Sequence, residues 1–217
     1  MPRIIVVHNY LPSMPPMASA FAGLWPEAEV FHMLDEALLA DVGADGTLTP
    51  NVCERVDAQL RHCVLSHADG VVYTGSTFGP AVDESRRDLG IPVLKPDEAM
   101  AEEAVAAGSR IGLMCVSDRS IPVITRNIED AAVAAGKKVD VDGRWVPGAK
   151  VDLTAGRGDA HDEKVAAMAA EMTDCEVLLV GQISMARAAP HIAEVPGRRV
   201  LTTPDAAVRK LRRLLEA

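Results

Sequence analysis

The residues best placed for chemistry in this sequence directly follow short apolar runs. His8, Asn9 and Tyr10 come after residues 3–7, and Thr74-Gly75-Ser76-Thr77-Phe78-Gly79-Pro80 comes after residues 70–73. Lys95, Pro96 and Asp97 follow residues 92–94, and Cys115, Val116 and Ser117 follow residues 110–114. Gly181-Gln182-Ile183-Ser184 and Thr202-Thr203-Pro204 close the series. The set is rich in small hydroxyl and amide side chains, with Lys95 and Asp97 its main charged members. Glycine lets a backbone approach a ligand closely, and proline in a first turn marks a helix start. Free N–H groups around Gly75, with the hydroxyls of Ser76 and Thr77, would cradle a small anion such as a carboxylate. Thr202-Thr203-Pro204-Asp205 repeats the device, though both stretches also read as ordinary capped helix starts. There is no Walker-type Gly-Lys-Ser/Thr and no GxGxxG after a strand, which argues against a nucleotide site.

Those positions matter because of the elements that hold them. Short aliphatic runs alternate with longer helical patterns, the signature of an α/β fold with parallel sheets and crossover helices. Strands are expected at 3–7, 29–32, 70–73, 92–94, 110–114, 138–141, 177–180 and 199–201. Helices are expected at 51–67, 80–89, 96–107, 121–135, 159–172 and 204–215, with Asn51 as an N-cap of the first. Gly108 and Gly136 sit where helix-ending glycines belong. Residues 142–158 hold three glycines, a proline and no clean periodicity, so an irregular excursion anchored by Trp145 and Val146 is expected. The two halves share a rhythm, which suggests two open sheets facing each other across a cleft. In such folds ligands bind beyond the carboxyl ends of the strands.

Composition bounds the partners. Of 217 residues, 48% are apolar and 31 acidic residues outnumber 22 basic ones, for a net charge of −9. A surface this acidic argues against nucleic acid and anionic membranes. The Arg209, Lys210, Arg212 and Arg213 cluster suits the end of a solvated last helix. No apolar run approaches the roughly 20 residues of a membrane span, and the opening run is too short for a signal-peptide core. A cytoplasmic protein is expected. Cysteines 53, 63, 115 and 175 lack metal-ligand spacing, so free thiols and no metal are expected.

Several ordered stretches resemble the aspartate/glutamate/hydantoin racemase superfamily. They are Val30-Phe31-His32-Met33-Leu34-Asp35-Glu36, the Tyr73–Pro80 stretch, Pro92-Val93-Leu94-Lys95-Pro96-Asp97-Glu98-Ala99-Met100, Arg110-Ile111-Gly112-Leu113 and Gly181-Gln182-Ile183-Ser184-Met185-Ala186. The resemblance implies two pseudo-symmetric Rossmann-like lobes with an interlobe cleft. Residues 1–97 with 204–217 would form the first lobe and 98–203 the second. It also implies a homodimer and no cofactor. Typical members hold two cysteines on opposite faces of a substrate Cα, one thiolate removing a proton while the other thiol supplies one.

This sequence departs from that pattern at both points. Gly75 stands where the first cysteine would be, and Gln182 where the second would be. Neither side chain titrates near pH 7, so two-thiol racemisation cannot run. His8 matches an acidic residue that assists the first cysteine, and histidine is suited to general acid–base work. Cys115 is the one cysteine near a strand end on the site side, either a displaced acid or base or a small buried core residue. His8 and Cys115 are therefore the catalytic candidates, and His161, near a helix start, a weaker one. Asn9, Gly75, Ser76, Thr77, Val116, Ser117, Gln182, Ser184 and Thr203 are the candidate substrate contacts. The expected activity is racemase- or isomerase-like proton movement next to the carboxylate of a small acid. Decarboxylation or elimination through the same carbanion is one alternative, and non-catalytic binding of a small carboxylate another.

Overall fold

A computed structural model describes residues 1–42, 46–193 and 198–216, and these divide into two compact units. The first comprises residues 1–96 with 207–217. Its strands β1 (Arg3–His8), β2 (Glu29–Leu34), β3 (Gly70–Tyr73) and β4 (Val93–Leu94) pair in parallel in the order β2-β1-β3-β4. Register is set by Val7 opposite Tyr73 and Met33. The helices are α1 (Met14–Leu24), α2 (Glu36–Ala40), α3 (Pro50–Leu65) and α4 (Gly79–Ser85). Ile5, Val7, Val71 and Tyr73 bury one sheet face with Val52, Val56 and Leu60 of α3.

The second unit, residues 97–206, repeats this topology. β5 (Arg110–Cys115), β6 (Asp140–Trp145), β7 (Val177–Val180) and β8 (Arg199–Thr202) lie parallel in the order β6-β5-β7-β8. The helices are α5 (Glu98–Ala107), α6 (Ser120–Ala134), α7 (Ala149–Thr154), α8 (Gly158–Glu171) and α9 (Ala189–Ala193). Strand alternation sorts the core. Ile111, Leu113, Cys115, Val177 and Leu179 pack with α5 and α6, while Met114, Val116, Leu178 and Val180 pack with Val165, Ala169 and Met172 at α8. The last helix, α10 (Thr203–Glu216), begins in this unit, and its Leu211 packs beside Gly70 in the first.

All eight expected strands form, two at the expected bounds and the others with boundary shifts of up to four residues. Residues 142–158 correct the expectation of an irregular excursion: they complete β6, form α7 and open α8. β6 is an edge strand with exposed and half-buried polar positions, so no apolar alternation announces it. Gly148 and Gly156, both at positive φ, bracket α7. Val146 is buried, but Trp145 is half exposed. Helix α1 escaped the reading because Pro12, Pro15 and Pro16 crowd its start, where prolines are tolerated. Thr49, not Asn51, caps α3 by accepting from Val52 N at 3.3 Å. Lys95 pairs with Asp83 at 2.7 Å.

The two leucines of α3 isolate what burial contributes. Leu60 is fully buried and Leu65 is 77% exposed. By urea denaturation, Leu60→Ala should lose about 2–5 kcal/mol, and Leu65→Ala should stay within about 0.5 kcal/mol of wild type.

Candidate functional site

In each sheet the chain leaves adjacent central strands in opposite directions. β1 connects outward to β2 and β3 outward to β4; β5 connects to β6 and β7 to β8. The crevice beyond the carboxyl ends of such a strand pair is where open α/β sheets bind ligands. Beyond β1 and β3 it presents His8, Asn9, Thr74 and Gly75; beyond β5 and β7 it presents Cys115, Val116, Gly181 and Gln182. Matching bonds hold the two places, Thr74 N donating to Val7 O and Gly181 N to Met114 O, each at 2.9 Å. His8 and Cys115 therefore occupy equivalent positions, each one residue past the last central pairing.

His8 is fully buried, and both its ring nitrogens are engaged. Ser13 Oγ donates to Tyr10 O at 2.7 Å and Thr74 Oγ1 to Val7 O at 3.1 Å, which uses the hydrogen of each hydroxyl. His8 Nδ1–H must then donate to Ser13 Oγ, 2.6 Å away, with Thr74 Oγ1 at 3.2 Å. That leaves His8 Nε2 as an acceptor, filled by His32 Nδ1–H at 2.9 Å. Burial, and then the neighbouring His32, push the His8 pKa down to about 3. Burial also lowers His32. The pair is neutral at physiological pH, and His8 has no ring nitrogen left for a ligand.

Asn9 is buried beside it. Tyr73 OH donates to Gln59 Oε1 at 3.0 Å and also bonds the Asn9 side chain, while Gln59 Nε2 donates to Asp35 Oδ2 at 2.8 Å. Asp35, which caps α2, also receives Arg55 at 2.9 Å. Asn9 Oδ1 is left buried without a partner among the described residues. It lies 2.5 Å from where a Cβ on Gly75 would stand, with Phe78 Cδ2 at 2.6 Å. The space of a cysteine side chain at 75 is thus already filled. Ser76 and Thr77 are exposed, in a 3-10 turn spanning Ser76–Phe78.

In the second unit, Cys115 Sγ is buried among α5 and α6. Burial, and then the Asp97 carboxyl, raise its pKa to about 12, with the neighbouring Gln182 side chain acting in the opposite sense. This thiol stays protonated and inert near neutral pH. Gln182 Oε1 accepts from Val116 N at 2.9 Å, and its Nε2 is buried without an acceptor among the described residues. Val116 and Ser184 are buried and Ser117 half buried. Thr203, fully buried, directs its hydroxyl to Met100 Sδ at 3.5 Å, while Thr202 Oγ1 caps the start of α10 by accepting from Asp205 N at 3.3 Å. That second Thr-Thr-Pro stretch thus spends its hydroxyls inside the protein. Ser13, which fixes the His8 tautomer, was missed by sequence reasoning. It lies five residues beyond the strand end, with no local signal. Among the described residues no group of three or more His, Cys, Asp or Glu could hold a metal, and no helix is long and apolar enough to cross a membrane.

Two measurements follow from these environments. The folded His8 pKa lies below its unfolded value of 6.5, so the unfolded chain binds the extra proton between the two values. His8 therefore contributes stability that is present above pH 6.5 and lost as pH falls towards about 3. The thermal midpoint of wild type should fall more steeply across that window than that of His8→Gln. Gly75→Cys should lower stability by about 1–3 kcal/mol through overpacking, partly relieved by adding Asn9→Ala, as calorimetry would read.

The chain's likenesses agree with this architecture. The family described as Asp/Glu/Hydantoin racemase matches residues 10–211. An allantoin racemase from Klebsiella pneumoniae superposes with a TM-score of 0.75 at 17% identity, over 100% of this chain and 88% of that one. An aspartate racemase homologue from Pyrococcus horikoshii OT3 gives 0.74 at 14% identity, covering 100% of both chains. An unliganded arylmalonate decarboxylase gives 0.63 at 16% identity, over 99% of this chain and 93% of that one. At such identities these structures speak for the fold alone. A search of curated proteins finds no match. With two parallel sheets of one topology, small polar groups at both switch points and a family match over nearly the whole sequence, the chain belongs to the Asp/Glu/hydantoin racemase family.

Proposed function

We propose that this chain is a cofactor-independent enzyme that moves a proton at a carbon next to the carboxylate of a small acid, in a racemase- or isomerase-like reaction that uses no pair of thiols. The observation that carries the reading is the buried Gln182 amide. Its Oε1 is committed to Val116 N, which fixes the orientation, while Nε2 is buried without an acceptor. Leaving such a donor unpaired costs about 1–3 kcal/mol, and a ligand carboxylate oxygen offsets that cost. The donor then also stabilises the charge that spreads onto the carboxylate as the Cα–H bond breaks. In the first unit Asn9 Oδ1 is the converse, a buried acceptor without a donor among the described residues.

A second reading is favoured by Gly75. With glycine in place of the first expected thiol, the same cleavage energetics serve loss of CO2 from a malonic acid, and an arylmalonate decarboxylase is among the chains of similar fold. Both reactions pass through a carbanion delocalised into a carboxylate. Binding without turnover is the third reading.

Incubation in D2O with amino, hydroxy and malonic acids separates the three by NMR. Cα–H exchange supports the first, CO2 release the second, and ligand-induced thermal stabilisation with neither supports the third. In the first two cases, Gln182→Ala should raise KM for the acid by about tenfold, the loss of one hydrogen bond to a charged group. Unchanged kinetics in that variant would remove the amide from the site.

A further inference from the structure

Of the groups considered for acid–base work, Gly75 and Gln182 have nothing to titrate, Cys115 is a sealed thiol, and His8 spends both nitrogens inside the protein. A different histidine is arranged otherwise. His161, in the first turn of α8, is fully buried, with Nδ1 2.7 Å from Asp162 Oδ1. Asp162 is buried too and receives Arg187 Nε at 2.9 and 3.1 Å. His191 Nε2 lies 3.8 Å from its other oxygen, and Asp159 reaches the Arg187 guanidinium at 3.5 Å. Asp162 accepts from Arg187 and faces His161 Nδ1, so the short bond between them is Nδ1–H donating to Asp162 Oδ1. The lone pair is then on Nε2, which is buried and has no partner among the described residues.

The fold puts that nitrogen at the right edge of the sheet. At its far end α8 leads into Met172, whose Cε lies 2.8 Å from a Cβ position on Gly112, low on β5. Eleven residues back along the helix, at about 1.5 Å each, is about 16 Å. From Gly112 to Val116 the strand climbs about 13 Å. His161 therefore stands level with the carboxyl end of β5, on the sheet face that carries Val116 and Met185. Gly158 is required for this arrangement, because a Cβ there would run into the Arg187 guanidinium.

We propose that His161, oriented by Asp162 and Arg187, is the acid–base residue of the second unit, and that its Nε2 exchanges a proton with the substrate carbon. This rests on the function proposed above. Nε2 takes the Cα proton and becomes the imidazolium, while the electron pair of the C–H bond moves into the substrate carboxylate. Return of the proton, or of a deuteron acquired from solvent, goes to the face it left. For a malonic acid, Nε2 first takes a proton from solvent; CO2 then departs without its bonding pair, and the Nε2–H protonates the resulting carbanion and leaves the ring neutral again. A proton handled by His161 alone returns to the face it left, so inversion needs a second donor on the opposite face, and decarboxylation should give one enantiomer.

The test uses the full chain with aspartate, lactate and phenylmalonate in D2O, together with long-range 1H–15N spectra of the histidine rings. The free protein should show His161 protonated at Nδ1 alone, and saturation with at least one acid should shift its Nε2 resonance. His161→Gln should lower kcat by about a hundredfold or more while KM changes by less than about threefold. Asp162→Asn should keep the fold, mix the two tautomers in the spectrum and lower kcat, which carries the test if His161→Gln does not fold. A His161→Gln enzyme within about threefold of wild-type kcat would overturn the proposal. If wild type turns over none of the acids, the functional reading fails on its own. His161 is then still upheld as a ligand contact by the Nε2 shift and overturned by its absence.

Discussion

The parallel register between the two central strands of each sheet is the constraint on which the rest depends. It delivers the ends of β1 and β3 level with each other to one edge of the first sheet, and those of β5 and β7 level with each other to one edge of the second. A slip of one residue would turn Val7 and Tyr73 out of their core and carry His8 to the opposite face. The same slip in the second sheet would take Leu113 and Cys115 away from α5 and α6. Burial of both faces of the central strands makes such a slip prohibitive, so the side chains just past the last pairing are held with little freedom. What chemistry those positions can do is then decided by what is packed around them.

Packing has closed some of the family's options and opened others. The space of a thiol at 75 is taken by Asn9 and Phe78, and the amide at 182 is locked onto Val116 N. These are built features, coupled to neighbours, and a pair of point changes would not restore what they replace. Low-dielectric surroundings have the same sense throughout: they strip the charge from His8 and hold the proton on Cys115. The groups most reactive by residue type are thereby the least available. The amides Asn9 and Gln182, unreactive by type, keep unmet hydrogen-bonding capacity among the described residues, as does the His161 ring.

The strands were legible in the sequence because central parallel strands are apolar on both faces, and residues 70–73 and 177–180 are unbroken aliphatic or aromatic runs closed by glycine or threonine. Edge strand β6 was only half legible, since Asp142 and Arg144 face solvent and pair with each other at 2.7 Å. Helix α1 was hidden by prolines that serve as a start signal once the turn is known. The strand-end candidates could be enumerated from the chain, but not ranked. Which nitrogen of His8 carries the proton depends on Ser13 and Thr74, and the pairing of Asp162 with Arg187 spans 25 residues. Neither relation leaves a periodic trace.

An imidazole also suits this site's charge balance better than a thiolate would. A thiolate base begins with a negative charge beside a substrate carboxylate and ends with the enediolate dianion beside a neutral thiol. A neutral imidazole ends as a cation next to that dianion, so the transition state gains an attraction where the thiolate only sheds a repulsion. Asp162 fixes the ring through Nδ1, and Arg187 holds the carboxylate in place. In a second unit whose β-strand ends carry a protonated thiol and a neutral amide, the role proposed for the buried ring rests on that fixed geometry.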